Sequence, residues 1–460
     1  MGVRDRDTSA AQRPIVDRMK QALNWFALHG FVRVMARIGS ARGDIQSRLM
    51  FDPGVRDEPN KFFAELHQCG PLIATRVSYL AVSHGLAYDL LRSDDFRSVE
   101  LGSALPAPLR RLENRTRDSL FYPLRAPSLL TVEPPQHTRY RKLVSSVFTP
   151  RAVAGLRGNV EFTAVDLLDR LAVENPATTP ADVVAAYCSQ LPVAVISDIL
   201  GVADADRRQV LEFGELAAPS LDIGLTWRQY RSVHRGVAGF NAWLAEHVRN
   251  LRRHPGNDLL SKLIEQADTS GQNADHLDND ELQAIAGLVL AAGFETTVNL
   301  LSNGIALLLA HPDAVATLRE RPELWPNAVE EILRLESPVQ LTARLALRDS
   351  EVAGTVVKQG ELVVIYLAAA NRDPVVFADP DRFDIERPNA ARHLAFSGGR
   401  HFCLGAALAR AEGEVGLRAF FERFPAAHAT TPGRRRDTRV LRGWAHLPVV
   451  LGQTTAAIAP

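Results

Sequence analysis

Residues 396–410 read FSGGRHFCLGAALAR and are the most informative stretch of the chain. Gly398, Gly399 and Gly405 surround Cys403, and a helical pattern follows. A glycine-rich loop lets backbone amides turn toward the sulfur, and the first turn of a helix adds partial positive charge. Because both effects favour thiolate over thiol, we expect Cys403 to be a nucleophile, a redox sensor or a metal ligand.

Each alternative use of this cysteine needs further residues. A cysteine nucleophile needs a base within hydrogen-bonding reach, and His401 is two positions away. A zinc site needs four ligands, and His393, His401 and Cys403 match none of the usual spacings. A lone cysteine is also commonly a small buried apolar residue. The sequence contains no G-x-G-x-x-G, Walker A, G-x-S-x-G or H-E-x-x-H motif.

Residues 279–310 predict a single long helix. Asp278 precedes it as an N-cap and Glu281 follows three positions later, which is the pattern of a capping box. The helix spans roughly 45 Å at 1.5 Å per residue. It is apolar nearly all round, so we expect it to run buried through the centre of the molecule. Glu295 and Thr296 interrupt the apolar run, and buried polar groups need partners, water or a function.

The composition is that of an ordinary globular protein. The 460 residues carry 53 Lys plus Arg and 53 Asp plus Glu, and 46% are hydrophobic. This balance is not typical of a nucleic-acid-binding protein, and we expect no nucleic-acid partner. Three widely separated cysteines without a C-x-x-C disfavour a disulfide scaffold and favour a reducing compartment, so we expect a cytoplasmic protein.

Residues 21–38 form an apolar stretch broken by His29, Arg33 and Arg37, which are four positions apart. On a helix these three residues form one basic stripe. We favour an amphipathic helix docked on the body of the protein. The alternative is a helix that lies on a membrane surface, as a peripheral contact, or in a dimer contact. We assign residues 1–50 to an N-terminal extension.

The rest of the chain, residues 51–460, predicts one domain without linkers or repeats. Short alternating runs predict strands at 72–83, 341–347, 355–357, 362–366 and 447–451; helices are expected over 137–302 and 326–335, and loop over 105–135. The fold class is therefore mainly α with small β-sheets, an α+β unit rather than a βαβ succession.

Together these motifs resemble the cytochrome P450 family in its soluble bacterial form. The matches are the haem-binding loop F-x-x-G-x-H-x-C-x-G at Phe396, Gly399, His401, Cys403 and Gly405, the E-x-x-R pair Glu331 and Arg334 with Arg387 as its third member, the A-G-x-[DE]-T segment from Ala292 to Thr296, and the haem-facing helix at 133–141. The resemblance covers about residues 51–455 and looks closest to mycobacterial-type enzymes of unassigned substrate.

The resemblance implies a haem b held between the long central helix and the cysteine loop. Cys403 would be the thiolate ligand of the iron. His137, Arg141, Arg344 and His401 would meet the haem propionates, and Phe396, Gly405, Ala292 and Gly293 would contact the haem, with Gly293 giving room beside it. Glu331, Arg334 and Arg387 would form a buried structural network that supports the loop.

The resemblance also implies residues for oxygen chemistry and substrate binding. Thr296 and Glu295 would deliver protons during oxygen activation. The pocket would be lined by Val289, Ala292, Val339 and Leu341, beside the loop 101–122 and the region 213–227. Residues 216–225, here called the entrance segment, contain a proline, a glycine and small residues, and we expect them to be mobile.

The implied activity is that of a monooxygenase, which inserts one oxygen of O₂ into an apolar small molecule such as a lipid, a sterol-like compound or a secondary metabolite. Electrons would come from a ferredoxin and its NAD(P)H-dependent reductase, and Arg139, Lys142 and Arg400 could form a basic docking patch. The alternatives are a peroxide-driven peroxygenase and a non-catalytic haem sensor or carrier.

Overall fold

The computed structural model describes residues 8–52, 54–55, 58–269 and 277–453. Its α-helices, numbered in chain order, are α1 (Thr8–Trp25), α2 (Phe31–Ser40), α3 (Ile45–Phe51), α4 (Pro59–Gln68), α5 (His84–Arg92), α6 (Ala107–Thr116), α7 (Gln136–Ser145), α8 (Pro150–Glu174), α9 (Gln190–Ile199), α10 (Asp204–Ala217), α11 (Trp227–Arg253), α12 (Leu259–Thr269), α13 (Asn279–Leu309), α14 (Pro312–Glu320), α15 (Trp325–Leu335), α16 (Leu367–Ala370) and α17 (Ala406–Arg423).

The strands are short and form four small sheets. They are β1 (Leu72–Ala74), β2 (Tyr79–Ala81), β3 (Phe96–Ser98), β4 (Pro180–Asp182), β5 (Thr342–Ala346), β6 (Ser350–Val352), β7 (Thr355–Val357), β8 (Leu362–Ile365), β9 (His428–Ala429), β10 (Arg434–Arg435), β11 (Trp444–His446) and β12 (Pro448–Val450). The largest sheet has the order β1-β2-β8-β5-β3 and joins strands from both ends of the chain. The predicted fold class and all five predicted strand regions are confirmed.

Helix α13 begins and ends where the sequence predicted. The Asp278 carboxylate accepts the Glu281 amide at 2.8 Å, and the Glu281 carboxylate accepts the Asp278 amide at 3.2 Å, which completes the capping box. Among the described helices, α13 is the one long and apolar enough to cross a membrane as a single helix, but 78% of its most apolar window is buried inside the protein. It is therefore the core helix.

Helices α13 and α17 pack closely, which places the cysteine loop against the core. A Cβ atom on Gly413 of α17 would lie 3.0 Å from a Leu300 methyl group of α13, and one on Gly304 would lie 2.8 Å from Leu417. Because α17 begins three residues after Cys403, this packing fixes the position of the loop relative to α13.

The prediction of loop over residues 105–135 is wrong in its first part, because α6 lies there. Prolines occupy its N-cap and first turn, at positions 106 and 108, where a missing amide donor has no cost. Glu113 of α6 is buried and pairs with Arg125 at 3.2 Å. From the sequence alone these prolines suggest a loop, whereas in the fold they mark the start of a helix.

The N-terminal extension lies on the body of the protein, as favoured from the sequence. Helices α1 and α2 are joined by a π-helical turn, Phe26–Gly30, whose flanking residues keep helical backbone angles. The Trp25 ring meets the Trp227 ring of α11 at 5.7 Å. Asn24 is buried and its amide approaches the Thr116 hydroxyl of α6 at 3.3 Å.

Candidate functional site

The cysteine loop has a backbone that few residues can adopt. Ser397 and Gly399 have φ angles of 62° and 64°. A Cβ atom on Gly399 would lie 2.3 Å from the Leu91 carbonyl oxygen of α5, so glycine is required there by space as well as by conformation. The Cys403 amide donates to the Phe396 carbonyl at 2.9 Å, which closes the loop before α17 starts.

Cys403 is accessible, yet protein atoms surround it. Its side chain is exposed, while burial raises the pKa of the thiol above its usual value against the opposing effects of the Gly405 amide, Arg141 and Arg410. The two observations together place the thiol on the wall of an internal space. The lowering of this pKa that the sequence predicted is therefore not found, because burial outweighs the Gly405 amide and the two arginines.

This result narrows the chemistry open to Cys403. A thiol with a raised pKa is a poor free nucleophile or redox sensor, whereas coordination to a metal deprotonates a thiol outright. His393 and His401 do not join it in a zinc site: within the described part of the chain, no three His, Cys, Asp or Glu residues form a metal-binding group. The remaining role for Cys403 is that of a single thiolate ligand to a metal that a cofactor holds.

Helix α13 is open on one side only. Ala292 is exposed and Thr296, one turn later, is half-buried, whereas Phe294 and Val298 are buried. The Thr296 hydroxyl donates to the Ala292 carbonyl at 2.9 Å. An exposed alanine in the middle of a core helix lines an internal space. The predicted pocket residue Ala292 and the predicted proton-delivery residue Thr296 share this face.

Gly293 does not have the role predicted for it. A Cβ atom there would lie 2.7 Å from Ile196 of α9. The missing side chain therefore lets α9 approach α13, and it does not widen the side on which Ala292 and Thr296 lie. The prediction failed because the motif gives the position of the glycine but not the direction in which its Cβ would point.

Glu295 is buried and points toward the C-terminal part of the chain. Its Oε1 lies 3.1 Å from Nη1 of Arg436, although the two are not aligned as a hydrogen bond. Arg436 also lies 3.9 Å from Glu215, which is half-exposed. Burial raises the pKa of Glu295 to about 7, against the lowering effect of Arg436 and with a further rise from Glu215. A carboxyl group with this pKa can give and take protons near neutral pH.

A second buried carboxyl group, Glu412 of α17, was missed from the sequence. Burial raises its pKa to about 8, and a hydrogen bond from Thr297 of α13 only partly offsets this effect. Its Oε2 has no hydrogen-bond partner. The sequence gave no signal for this residue, because its hydrogen-bond partner Thr297 lies on another helix.

Two of the predicted propionate-binding residues have unsatisfied donors. Arg344 of β5 is buried, and its Nη2 has no partner, although Nη1 donates to the Ala343 carbonyl at 3.0 Å. Burial lowers the pKa of Arg344 to about 10. His137 of α7 is buried with Nε2 unpaired, and burial lowers its pKa to about 4. A buried cation and a buried imidazole, each with one unpaired nitrogen, are the groups that an anion would satisfy.

The other two predicted residues already have protein partners. His401 Nε2 lies 3.4 Å from the Glu133 carboxylate, and its ring meets the His137 ring at 4.6 Å. Arg141 donates to the Phe402 carbonyl at 2.8 Å and so also braces the cysteine loop.

Glu133, which had no assigned role, is central to this cluster. Its carboxylate accepts hydrogen bonds from the Ser98 amide at 2.7 Å and from Arg400 at 2.9 Å. Burial alone would raise the pKa of Glu133, but hydrogen bonds from His401, Ser98 and Arg400 lower it to about 2. The site therefore contains one protein carboxylate that partly balances its cations.

Glu331, Arg334 and Arg387 form one buried network. Arg334 and Glu331 make two hydrogen bonds of 2.7 and 2.8 Å, and Arg387 Nε lies 3.0 Å from Glu331 Oε1. Their side chains are 0%, 0% and 6% exposed. Further donors of the two arginines bond backbone carbonyls between positions 371 and 382.

This network reaches the cysteine loop through backbone and side-chain contacts. Arg334 donates to the Asn371 carbonyl at 2.9 Å, and the Asn371 side chain accepts the Leu394 amide at 2.6 Å, just before the loop. In parallel, Glu330 accepts His393 at 2.9 Å and also pairs with Arg410 of α17. The loop is thus held at both ends by helix α15.

The predicted pocket residues fall into two groups. Val289 is 8% exposed and belongs to the main core, so packing accounts for it. Val339 and Leu341 are half-buried, and Val339 forms an isolated β-bridge with Leu441. The structure therefore leaves Ala292, Val339 and Leu341 as the accessible members of the predicted set.

The surface beside the cysteine loop carries two of the three residues of the predicted basic patch, Lys142 and Arg400. A groove of about 420 Å³ is lined there by Pro134, His137, Thr138, Arg141, Lys142, Ser145, Gly399 and Arg400. Arg139 pairs with Glu281, and Arg400 pairs with Asp94 and Glu133. The patch is thus less positive than its sequence suggests.

Comparisons with known proteins agree with this geometry. The model of the family described as Cytochrome P450 matches residues 193–442. The chain is 64% identical to the protein named cytochrome P450 140 of Mycobacterium tuberculosis, over 96% of this chain and 100% of that one. It is 42% identical to 6-deoxyerythronolide B hydroxylase of Saccharopolyspora erythraea, over 71% and 78%. The structure of a myxobacterial cytochrome P450, CYP267B1, in complex with myristic acid is similar, with a TM-score of 0.78 and 33% identity over 88% of this chain and 99% of that one.

Proposed function

The chain belongs to the cytochrome P450 family and is a monooxygenase-type oxidoreductase, and from this premise we propose that it oxidises an apolar small molecule with electrons from a ferredoxin. The observation that supports this proposal best is the accessible but desolvated Cys403 thiol next to a cluster that has unsatisfied buried donors, His137 and Arg344.

The family implies a haem cofactor, and the residues of the site fit one. The thiol of Cys403 supplies a metal ligand, and the unpaired Nη2 of Arg344 and Nε2 of His137 supply donors for carboxylates such as propionates. The exposed Ala292 face of α13 gives a small-residue surface against which a flat group can lie. Because the sequence has no C-x-x-C-H for covalent attachment, we propose haem b.

Each residue then has a definite task. When bound, the haem supplies the iron at which O₂ is activated, and a thiolate ligand favours O–O cleavage. Arg344 and His137 hold the propionate side, while Glu133 keeps Arg400 and His401 in place. The Glu331 network holds the cysteine loop in register, since it reaches that loop through Asn371.

We assign proton transfer to the open face of α13 and its neighbour Glu295. The Thr296 hydroxyl can exchange its bond to the Ala292 carbonyl for one to a reacting oxygen atom. Glu295, with a pKa of about 7, can pass protons between that region and the half-exposed Glu215 through the group around Arg436. An intact acid and alcohol argue against a peroxide-driven enzyme, which needs no such relay.

The substrate class follows from the accessible lining and from the relatives. Ala292, Val339 and Leu341 offer apolar contact without a charged group. One relative is named 6-deoxyerythronolide B hydroxylase, another is named a polyketide biosynthesis cytochrome P450, and one similar structure contains myristic acid. We propose a lipid, a sterol-like compound or a polyketide-type secondary metabolite as the substrate.

A reductase-coupled ferredoxin is the proposed electron donor. Two residues of the predicted basic patch, Lys142 and Arg400, line the groove beside the cysteine loop, which suits an acidic protein partner. We place this system in the cytoplasm, where the unpaired cysteines Cys69 and Cys188 would stay reduced.

Spectroscopy and reconstituted turnover test the proposal. The reduced protein with carbon monoxide should show the Soret band of thiolate-ligated haem, and Cys403→Ser should lose it. Turnover of fatty acids, sterols and macrolide aglycones should require a surrogate ferredoxin, its reductase and NAD(P)H. Turnover with hydrogen peroxide alone at an equal rate would favour the peroxygenase, and a haem protein with neither activity would favour a sensor or carrier.

A further inference from the structure

The C-terminal end of the entrance segment is bound by three side chains of the N-terminal extension: Trp25 of α1, His29 of the π-helical turn and Arg33 of α2. Nδ1 of His29 accepts the backbone amides of Gly224 and Leu225 at 3.2 and 3.4 Å. Trp25 Nε1 donates to the Leu225 carbonyl at 2.9 Å, and Arg33 Nη1 donates to the Gly224 carbonyl at 2.8 Å. The amide and the carbonyl of both Gly224 and Leu225 are thus bound by side chains of the N-terminal extension.

The histidine is suited to this task as a neutral ring. Since Nδ1 accepts two amides, the ring proton is on Nε2. His29 is buried, and burial lowers its pKa to about 3, with smaller contributions from Arg439, Arg125 and Arg33. These cations face it from the C-terminal loop, the loop before α7 and its own helix. The contact therefore persists over the whole physiological pH range.

The same segment is held from the other side by the C-terminal part of the chain. The buried carboxylate of Asp222 accepts the Arg439 amide at 3.1 Å and the Val440 amide at 2.9 Å. The Arg439 guanidinium also donates to the Ile223 carbonyl. Residues 222–225, the C-terminal part of the segment, are therefore held by hydrogen bonds from two sides, although the sequence predicted a mobile segment.

These contacts continue to the wall of the proposed pocket. The Val440 carbonyl accepts the Gln340 amide at 2.8 Å, and Leu441 bridges to Val339. Val440 therefore contacts the entrance segment through its amide and the pocket wall through its carbonyl. Hydrogen bonds and one β-bridge thus connect the N-terminal extension to the entrance segment and the entrance segment to the pocket wall.

An apolar cluster joins Trp25 of α1 to the entrance segment and to the loop 101–122. Tyr122, Leu225, Tyr230, Val233 and Val237 are buried together, with Trp25, Leu120 and Trp227 packed against them. Leu120 and Tyr122 belong to the loop 101–122, which the sequence predicted to lie beside the pocket together with the region 213–227. Trp25 therefore packs against a cluster that joins this loop to the entrance segment.

We propose that His29, with Trp25 and Arg33, positions the entrance segment and thereby limits how fast apolar substrates reach and leave the pocket. The inference rests on the proposed function in that the pocket must lie behind this segment. Residues 224–225 cannot move outward until four hydrogen bonds are broken. The N-terminal extension, which has no part in the chemistry, then controls exchange with solvent.

Hydrogen exchange in the haem-loaded, full-length protein tests the holding contact. His29→Leu removes the acceptor and Arg33→Met removes the guanidinium; Arg37→Met is the matched control, one turn further along an exposed face. We expect the amides of Gly224 and Leu225 to exchange at least tenfold faster in His29→Leu, while the Arg439 and Val440 amides change less. Unchanged exchange at 224–225 in a folded His29→Leu protein would overturn the proposal.

Stopped-flow binding of 4-phenylimidazole, read from the haem spectrum, tests the kinetic part. Association and dissociation should both accelerate at least threefold in His29→Leu and in the more conservative Arg33→Met, and stay within 1.5-fold in Arg37→Met. Faster amide exchange together with unchanged association and dissociation of 4-phenylimidazole in both variants would mean that the contact is purely structural, and it would overturn the kinetic part of the proposal. Neither readout needs turnover, so a failure to find product in a reconstituted system would count against the proposed function alone.

Discussion

Arg436 Nη1 lies 3.1 Å from Glu295 Oε1 and joins the middle of the central helix to a strand hairpin near the C-terminus. The arginine works against the burial that raises the pKa of Glu295 to about 7. The pair therefore holds the one acid next to Thr296 in a range where both of its protonation states are populated near neutral pH.

Arg436→Met should raise the pKa of Glu295 further, because it removes the group that favours the carboxylate. The alkaline limb of the pH profile of coupled turnover should then move to higher pH.

Glu295→Gln should lower turnover at least tenfold, since an amide cannot relay protons. Turnover and NAD(P)H use across pH 5.5 to 9 provide the measurement; a Glu295→Gln variant with an unchanged rate would remove Glu295 from the relay.

Thr296→Ala should uncouple the enzyme. Without the hydroxyl on the open face of α13, electrons are consumed but a larger share appears as hydrogen peroxide instead of oxidised product. The ratio of product to NAD(P)H should fall at least threefold. Thr297→Ala is the matched control, since that hydroxyl is buried and bonds the Gly293 carbonyl at 3.3 Å. Equal peroxide yields from the two variants would contradict the assignment.

Arg344→Met should have opposite effects on the empty and the loaded protein. The buried guanidinium has an unpaired Nη2, so its removal should stabilise the apoprotein by about 1 to 3 kcal/mol. It should also weaken haem binding at least tenfold, because a propionate loses its cation. Urea unfolding of the apoprotein and haem transfer to apomyoglobin measure the two effects.

The control for Arg344 is Arg348→Met, a surface arginine that follows the same strand and pairs with Asp95. It should leave haem transfer unchanged. Loss of both apoprotein stability and haem affinity in Arg344→Met would mean that the arginine is structural and not a cofactor contact.

Glu412 should make stability depend on pH. Its pKa is about 8 in the folded protein against 4.5 for an ordinary glutamate, so the folded state holds the proton to higher pH. Stability is then full below about pH 4.5 and is lost as the pH rises toward about 8. Glu412→Gln should reduce this loss, which is on the order of 3 to 5 kcal/mol.

Unfolding midpoints at pH 5 and pH 8.5 measure the effect of Glu412, and the exposed Glu320→Gln serves as the control. The Glu412→Gln variant and the wild type should differ more at the higher pH. Parallel pH curves for all three proteins would show that Glu412 ionises normally.

Arg387→Met should destabilise the protein by about 3 to 5 kcal/mol, because buried Glu331 Oε1 and the carbonyls of Ala378 and Asp379 lose the donors that satisfy them. Haem incorporation should fall with it, since the network reaches the cysteine loop through Asn371. The control Arg321→Met removes a surface pair with Glu386 and should cost less than about 1 kcal/mol. Urea unfolding and the haem-to-protein ratio after purification report the difference.

The features that the sequence predicted well are those carried by neighbouring positions. The capping box at Asp278 and the Glu331–Arg334 pair each need residues three apart, and a helix brings such residues together. The cysteine loop was evident because its glycines adjoin Cys403. These local patterns were enough to predict the long helix, the loop and the fold class.

The features that the sequence did not reveal depend on distant partners. Glu295 meets Arg436, some 140 positions away, and Glu133 meets Arg400 from a different part of the fold. The burial of Cys403 depends on how the rest of the fold surrounds the loop, so its effect on the pKa could not be judged from the loop sequence alone. Gly293 was misjudged for the same reason, since Ile196 lies on another helix.

The parallel pairing of β2 with β8 has a consequence for synthesis on the ribosome. Tyr79 pairs with Val363, so the first strands emerge long before the strand that completes their sheet. At 5 to 20 residues per second the delay is roughly 15 to 60 s. Throughout that time β2 presents an unpaired edge, which is the kind of surface that invites aggregation. The nascent chain should therefore depend on chaperones, and production at lower temperature or with added trigger factor should raise the soluble yield.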